Sequence, residues 1–211
     1  ITLSLGIYQA YFPVAAALMV GALLFETLDG TASLRALVGK GLRLVLTLAG
    51  ALLAYLVVVQ LTTRDSGLTD YEGISDMGRI SLGELPRLVA LSYWKYVAFF
   101  LRDDWNCHAA VLGKAFLLTA LVSLALGVLL LQRRGLGGGK TVLALCLGGL
   151  YPLAAALIYV MVPKVYVHIH MLYGMVLLLV APLALMEYAG PQLQDRGGTR
   201  AFHAIASWVI L

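Results

Sequence analysis

The sequence predicts an all-α polytopic membrane protein, with about five complete transmembrane helices and a truncated sixth. Two observations carry this. Hydrophobic residues make up 61% of the 211 residues and charged residues only 12%, with a mean hydropathy of +0.91; soluble domains carry about 25% charge. The charges are also unevenly spread. They fall between uncharged runs long enough to cross a bilayer as helices, which takes roughly 20 residues.

The first span, about 5–25, has no charge before Glu26. It lacks a basic leader region and a cleavage site, so it is not a signal peptide. Its start carries Tyr8, Gln9 and Tyr11, polar groups with no use in lipid. The second span, 44–63, lies between Arg43 and Arg64. A long loop, 64–111, follows as the only large hydrophilic unit. Its first part, "RDSGLTDYEGISDMGRISLGE", is rich in Gly, Ser and Asp and reads as turns. Its second part, roughly 81–102, reads as a helix with Ser81 and Glu84 in an S-x-x-E capping signature. Pro86 lies early enough to move the true start a few residues later. Glu84, Arg87, Lys95 and Arg102 share an arc of roughly 80°, and the remaining surface is apolar. Such an amphipathic helix lies in the interface plane, apolar side in the lipid. A re-entrant segment is the alternative, and it would place three cations at membrane depth.

The third span covers about 112–132, the fourth 141–162 and the fifth 166–187, the last two separated by the turn at Pro163 and Lys164. Gly148, Gly149 and Pro152 are able to break the fourth. A sixth run, 203–211, stops too short to cross. The chain begins at Ile1 and ends inside a helical run, so residues 1–211 are expected to be a single transmembrane domain, an internal fragment of a longer protein. Cys146 falls mid-span and is expected as a small core residue; with only Cys107 elsewhere, no disulfide framework is expected.

Loop charge sets the orientation. Arg35, Lys40 and Arg43, then Arg133, Arg134 and Lys140, then Arg196 and Arg200 occupy alternate short loops. Alternate loops share one side, and the positive-inside rule makes that side cytoplasmic. Ile1, the long loop and Lys164 then face outward. The net charge of +4 follows from this topology and asks for no nucleic acid.

Chemistry-bearing residues are few. Asp103 and Asp104, in "RDDWNCH", are adjacent acids at the outer mouth of the third span. Such a pair suits a general base, and it equally suits a helix N-terminus, where the dipole favours acids. "RRGLGGGKT" resembles a phosphate loop, but Arg134 stands where the pattern needs Gly and no strand precedes it, so it reads as a glycine turn. His168 and His170 project about 200° apart on a helix and do not suit one zinc ion. Each suits an interhelical hydrogen bond, or an anion held together with Lys164. No metal or cofactor motif is present. Tyr8, Gln9 and Tyr11 read either as an aromatic belt at the interface or as the lining of an outward polar cavity.

"LGIYQAYFPVAAALMVGALLFE" resembles the Gtr type II family of membrane glucosyltransferases that modify bacterial O-antigen, with the match at Tyr8-Gln9-Ala10-Tyr11. The order that follows is also similar to that family: a basic connector, a second span, an outward loop containing "DYEGISDMGRIS" and an amphipathic "YWKYVAFF" segment. The resemblance implies a multi-pass enzyme of the bacterial inner membrane. It would move glucose from a polyprenyl-phosphate carrier to a cell-surface polysaccharide on the outer face, so its partners are the lipid-linked donor, the polysaccharide acceptor and the bilayer. It implies that Tyr8, Gln9 and Tyr11 line a sugar cavity. Lys164 with Arg79 or Arg102 would then contact the carrier phosphate, and His168 and His170 would lie at the same binding region. The family's catalytic carboxylate belongs to an earlier outward loop, upstream of Ile1. The catalytic base is therefore unassigned in this sequence, with Asp103 and Asp104 as the local candidates. The rivals are a transporter or flippase of the polysaccharide pathway and a non-catalytic assembly subunit. A transporter is supported by the Pro152 region and opposed by the lack of Asp, Glu, Lys or Arg within the five runs 1–25, 44–63, 115–132, 141–163 and 165–186.

Overall fold

A computed structural model describes residues 11–63, 81–102 and 135–163, together with parts of 114–129 and 167–184. Among these the protein is helical, with no strand. The elements are α1 (Tyr11–Asp29), α2 (Leu34–Thr63), α3 (Leu85–Leu101), α4 (Gly138–Ala155), α5 (Ile158–Met161), a 3-10 turn (Ile169–Leu172), α6 (Tyr173–Val176) and a second 3-10 turn (Leu177–Leu179). The described residues between 114 and 129 are helical too.

Among the described residues, three helices are long and apolar enough to cross a membrane: α1, residues 34–58 of α2, and α4. At about 1.5 Å per residue, the 19 residues of α1 and the 18 of α4 each span roughly the hydrocarbon thickness. The 30 residues of α2 exceed it.

α1 and α4 run antiparallel and form the central pair. Phe12, near the start of α1, shares a cluster with Ala155, near the end of α4. Leu23 packs with Leu147 lower down. At the far end the Lys140 ammonium donates to the Gly30 carbonyl at 2.7 Å. Small side chains allow the close approach: Ala16 and Ala17 of α1 and Ala154 and Ala155 of α4 are all buried. Lipid is as apolar as leucine, so such packing, and not water exclusion, holds membrane helices together.

Helix ends depart from the sequence reading in one consistent way. α1 continues through Glu26 to Asp29, and Gly30 ends it at φ 71, the left-handed C-terminal cap. α2 begins at Leu34, not near residue 44. Arg35, Lys40 and Arg43 therefore lie on a helix, and the expected loop 26–43 shrinks to residues 30–33. The Lys40–Glu26 ion pair joins the two helices, and the long basic side chains reach the interface from a continuing helix.

Two further expectations fail locally. The Ser81–Glu84 capping box does not form. α3 starts at Leu85 with Glu84 as its N-cap and no side-chain cap, while the Ser81 hydroxyl accepts from the Gly83 N–H at 3.3 Å. Pro86 fits the first turn, where its missing N–H costs nothing. Cys146, expected in the core, is exposed on α4 because the Leu147 face points toward α1.

Pro152 does not break α4 where it stands. The helix runs on to Ala155, then turns at residues 156–157 before α5. Beyond it, residues 169–179 alternate between 3-10 and α geometry. Gly174 lets this segment press onto α4: a Cβ there would lie 2.7 Å from the Ala155 carbonyl oxygen.

Candidate functional site

Of the sequence-derived site residues, Tyr11 and Arg102 are described in full and His170 by its backbone. Tyr8, Gln9, Arg79, Asp103, Asp104, Lys164 and His168 lie outside the described residues. Tyr11 opens α1 and is 44% exposed. Arg102 closes α3; its backbone N–H donates to the Ala98 carbonyl and it is exposed. His170 lies in the 3-10 turn after the α5 region.

The elements carrying these residues meet at one end of the bundle. Phe12, beside Tyr11, packs in one buried cluster with Tyr96 and Phe100 of α3, and with Val162, Val167 and Met171. This end is rich in rings. Tyr96 and Phe100 stack edge to face at 5.2 Å, and Phe99 and Phe100 do so at 5.0 Å. Tyr55 of α2 and Tyr159 of α5 are buried in the same cluster, and Tyr151 of α4 packs against it.

α3 is built to sit against this end. Leu88, Ser92, Tyr96 and Phe100 recur every four residues and are buried, so they form one stripe facing protein. Trp94, Val97 and Leu101 remain exposed on another flank. The helix thus divides its apolar surface between protein and the exterior, where the sequence reading assigned all of it to lipid. Ser92 donates to its own helix, at the Leu88 carbonyl, 2.9 Å away.

Polar contacts hold α3 to α4 and α5. Pro152 has no N–H to give to the Gly148 carbonyl, which opens the hydrogen-bond ladder of α4. Beside that opening, the Tyr93 hydroxyl donates to the Gly149 carbonyl at 2.7 Å. The Lys95 ammonium lies 5.9 Å from the centre of the Tyr159 ring, a cation–π contact. The Tyr96 hydroxyl is buried and has no hydrogen-bond partner among the described residues. In the sequence Lys95 reads as a surface cation, and Tyr96 carries no mark of its own. The available signal was the four-residue stripe, in which Tyr96 is one of two polar side chains.

The rings described at this end pack on one another in the core, with Tyr11 exposed next to Phe12. The opposite end holds a cavity of about 410 Å³ lined by Asp29, Gly30, Thr31, Lys140 and the turn at residues 135–137. Its ammonium is committed to the Gly30 carbonyl and its carboxylate accepts from the Thr31 hydroxyl. These contacts tie the 30–33 connector to the start of α4, so both connectors lie at the same end, as the alternation of basic loops requires. Among the described residues no group of His, Cys, Asp and Glu is placed to hold a metal ion.

The sequence profile of the family described as glucosyl transferase GtrII matches residues 1–181. The chain belongs to the GtrII glucosyl transferase family. The match covers α1 through the second 3-10 turn, and so includes every labelled element of the aromatic end. No curated protein and no solved structure matches the chain. The family is one of glucosyl transferases, which implies a sugar donor and a glycan acceptor, and the apolar helices of this chain fit a membrane protein.

Proposed function

We propose that this GtrII protein takes glucose from a polyprenyl-phosphate carrier and transfers it to O-antigen polysaccharide at the outer face of the bacterial inner membrane. The family match over residues 1–181 carries the reading. The aromatic end supports it, because Tyr11, Tyr96 and Tyr159 gather there on elements that frame the same cluster. The reaction breaks the bond between the sugar's anomeric carbon and the carrier phosphate and forms one to an acceptor hydroxyl. The acceptor proton passes to a carboxylate base, and the departing lipid phosphate keeps the bonding pair. Cations near the outer surface stabilise that phosphate. In this assignment Tyr8, Gln9 and Tyr11 bind sugar, while Arg79, Arg102 and Lys164 serve the phosphate, with His168 and His170 beside them.

The test is glucose transfer by the purified full-length protein, given polyprenyl-phosphate glucose and O-antigen. Labelled polysaccharide is the expected product; donor left intact would sink the proposal. Asp104→Asn in the same assay is expected to keep at least about a tenth of wild-type turnover, since acids at a helix start commonly serve the dipole. A fall of about 10³-fold or more, with normal expression, would make Asp104 the base.

The transporter reading draws less support. Transporter sites sit at broken helices near the midplane. Here the interruption at residues 156–157 follows the whole 18-residue length of α4 and lies near its end.

Orientation is testable separately. A cysteine at Gly137 is expected to resist an impermeant maleimide in intact spheroplasts, while one at Gly73 is expected to react. The reverse pattern would place the aromatic end on the cytoplasmic side.

A further inference from the structure

A phenol buried without a partner is a cost that phenylalanine would avoid. Tyr96 is 7% exposed, and its hydroxyl has no hydrogen-bond partner among the described residues. Native proteins pair nearly all such groups, and the exceptions call for a reason. Phe100, edge to face with it, and the other apolar members of its cluster supply packing that a phenyl ring would use equally well. The hydroxyl itself therefore contributes nothing visible to the fold.

The residue beside it repeats the pattern. Lys95 is half-buried, and the contact described for its ammonium is the face of the Tyr159 ring. A cation over a ring keeps unused N–H donors, because the ring satisfies charge and not hydrogen bonding. Two successive residues of α3 thus carry donor groups without a hydrogen-bond acceptor among the described residues. They do so at the end where α1, α3 and α5 meet. α3 is anchored on either side of them, through Tyr93 to the Gly149 carbonyl and through Phe100 in the cluster.

We propose that Tyr96 and Lys95 are binding residues for the sugar-phosphate end of the lipid-linked donor. The Tyr96 hydroxyl donates to an oxygen of that group, and the Lys95 ammonium leaves the Tyr159 ring to meet the phosphate charge. The inference rests on the glucosyltransferase reading and adds two residues to it. It also makes α3 part of the donor site and not only a membrane-surface helix. Contact with the enclosed hydroxyl requires α3 to move, which would release the Tyr93 bond to the Gly149 carbonyl. The exposed flank of Trp94, Val97 and Leu101 leaves the helix unpacked on that side.

Tyr96→Phe separates this role from a structural one. Removing a hydroxyl that has no partner leaves stability unchanged or raises it. Removing a donor to a charged ligand weakens binding by about tenfold or more. The full-length wild type and the variant are compared for Tm with and without polyprenyl-phosphate glucose, and for donor and acceptor KM. The expected result is a Tm at or above wild type without donor, a donor KM raised about tenfold, and an unchanged acceptor KM. Stabilisation by donor is expected to shrink to match. Lys95→Gln is expected to raise donor KM with the same selectivity. Equal donor KM and equal donor stabilisation in wild type and Tyr96→Phe would overturn the inference and leave the transferase reading standing. A wild type that neither binds the donor nor transfers its sugar would overturn both.

Discussion

Gly174→Ala is expected to destabilise the bundle by about 1–3 kcal/mol, the usual cost of overpacking a tight contact. The added Cβ would meet the Ala155 carbonyl oxygen at 2.7 Å and the Ala155 Cα at 3.3 Å, and backbone atoms cannot rotate aside. Ala155 lies just before the turn at residues 156–157, so α4 or the segment carrying α6 must move as a unit. Gly21→Ala supplies the comparison. Its Cβ would sit 3.7 Å from the Tyr151 ring, an ordinary contact, and alanine favours the helix by up to about 1 kcal/mol. Thermal unfolding in detergent should therefore show a lowered Tm for Gly174→Ala and an unchanged or raised one for Gly21→Ala. Equal behaviour of the two would mean that the approach at Gly174 is looser than described.

Lys164→Ala is expected to weaken use of the lipid-linked donor by roughly tenfold or more, since a charge-assisted contact to phosphate contributes about 1.5–3 kcal/mol. The basis is position. Lys164 follows Pro163, and the preceding Met161 and Val162 are buried in the aromatic cluster. Met161 and Val162 thus bring the described chain to the same cluster as Phe12 and Tyr96. Donor kinetics that stay at the wild-type level in a well-folded Lys164→Ala protein would remove this cation from the site.

The helical architecture was legible because lipid imposes a simple rule: apolar runs cross and charges gather at their ends. The rule locates membrane boundaries better than helix boundaries. Glu26 and Lys40 were read as loop residues because they are charged. α1 runs past Glu26 until Gly30 supplies a left-handed turn, α2 has already begun before Lys40, and the ion pair between the two residues joins the helices. Pro152 was a plausible break, yet one missing N–H beside a carbonyl that Tyr93 engages is tolerated, and the turn comes four residues later. The capping pattern at Ser81 failed because Pro86 fixes the first turn further on.

The site was legible in a different measure. Tyr11 stands out in the sequence because a phenol early in an apolar helix is out of place; it is exposed, and its neighbour Phe12 joins the aromatic cluster. Tyr96 does not stand out, since an amphipathic helix hides one tyrosine among many apolar neighbours. Its peculiarity is a hydroxyl without a partner, which exists only once α1, α4 and α5 have closed around it. Lys95 was counted with the water-facing cations of α3, and its placement over Tyr159 depends on an element more than sixty residues away in sequence.

The most direct test of the account is the sidedness of transfer. Right-side-out and inverted membrane vesicles containing the full-length protein receive polyprenyl-phosphate glucose carrying labelled sugar, with acceptor polysaccharide outside the vesicle. The account predicts labelled polysaccharide from right-side-out vesicles and a background level from inverted ones. Transfer confined to inverted vesicles, or none from either, would contradict it.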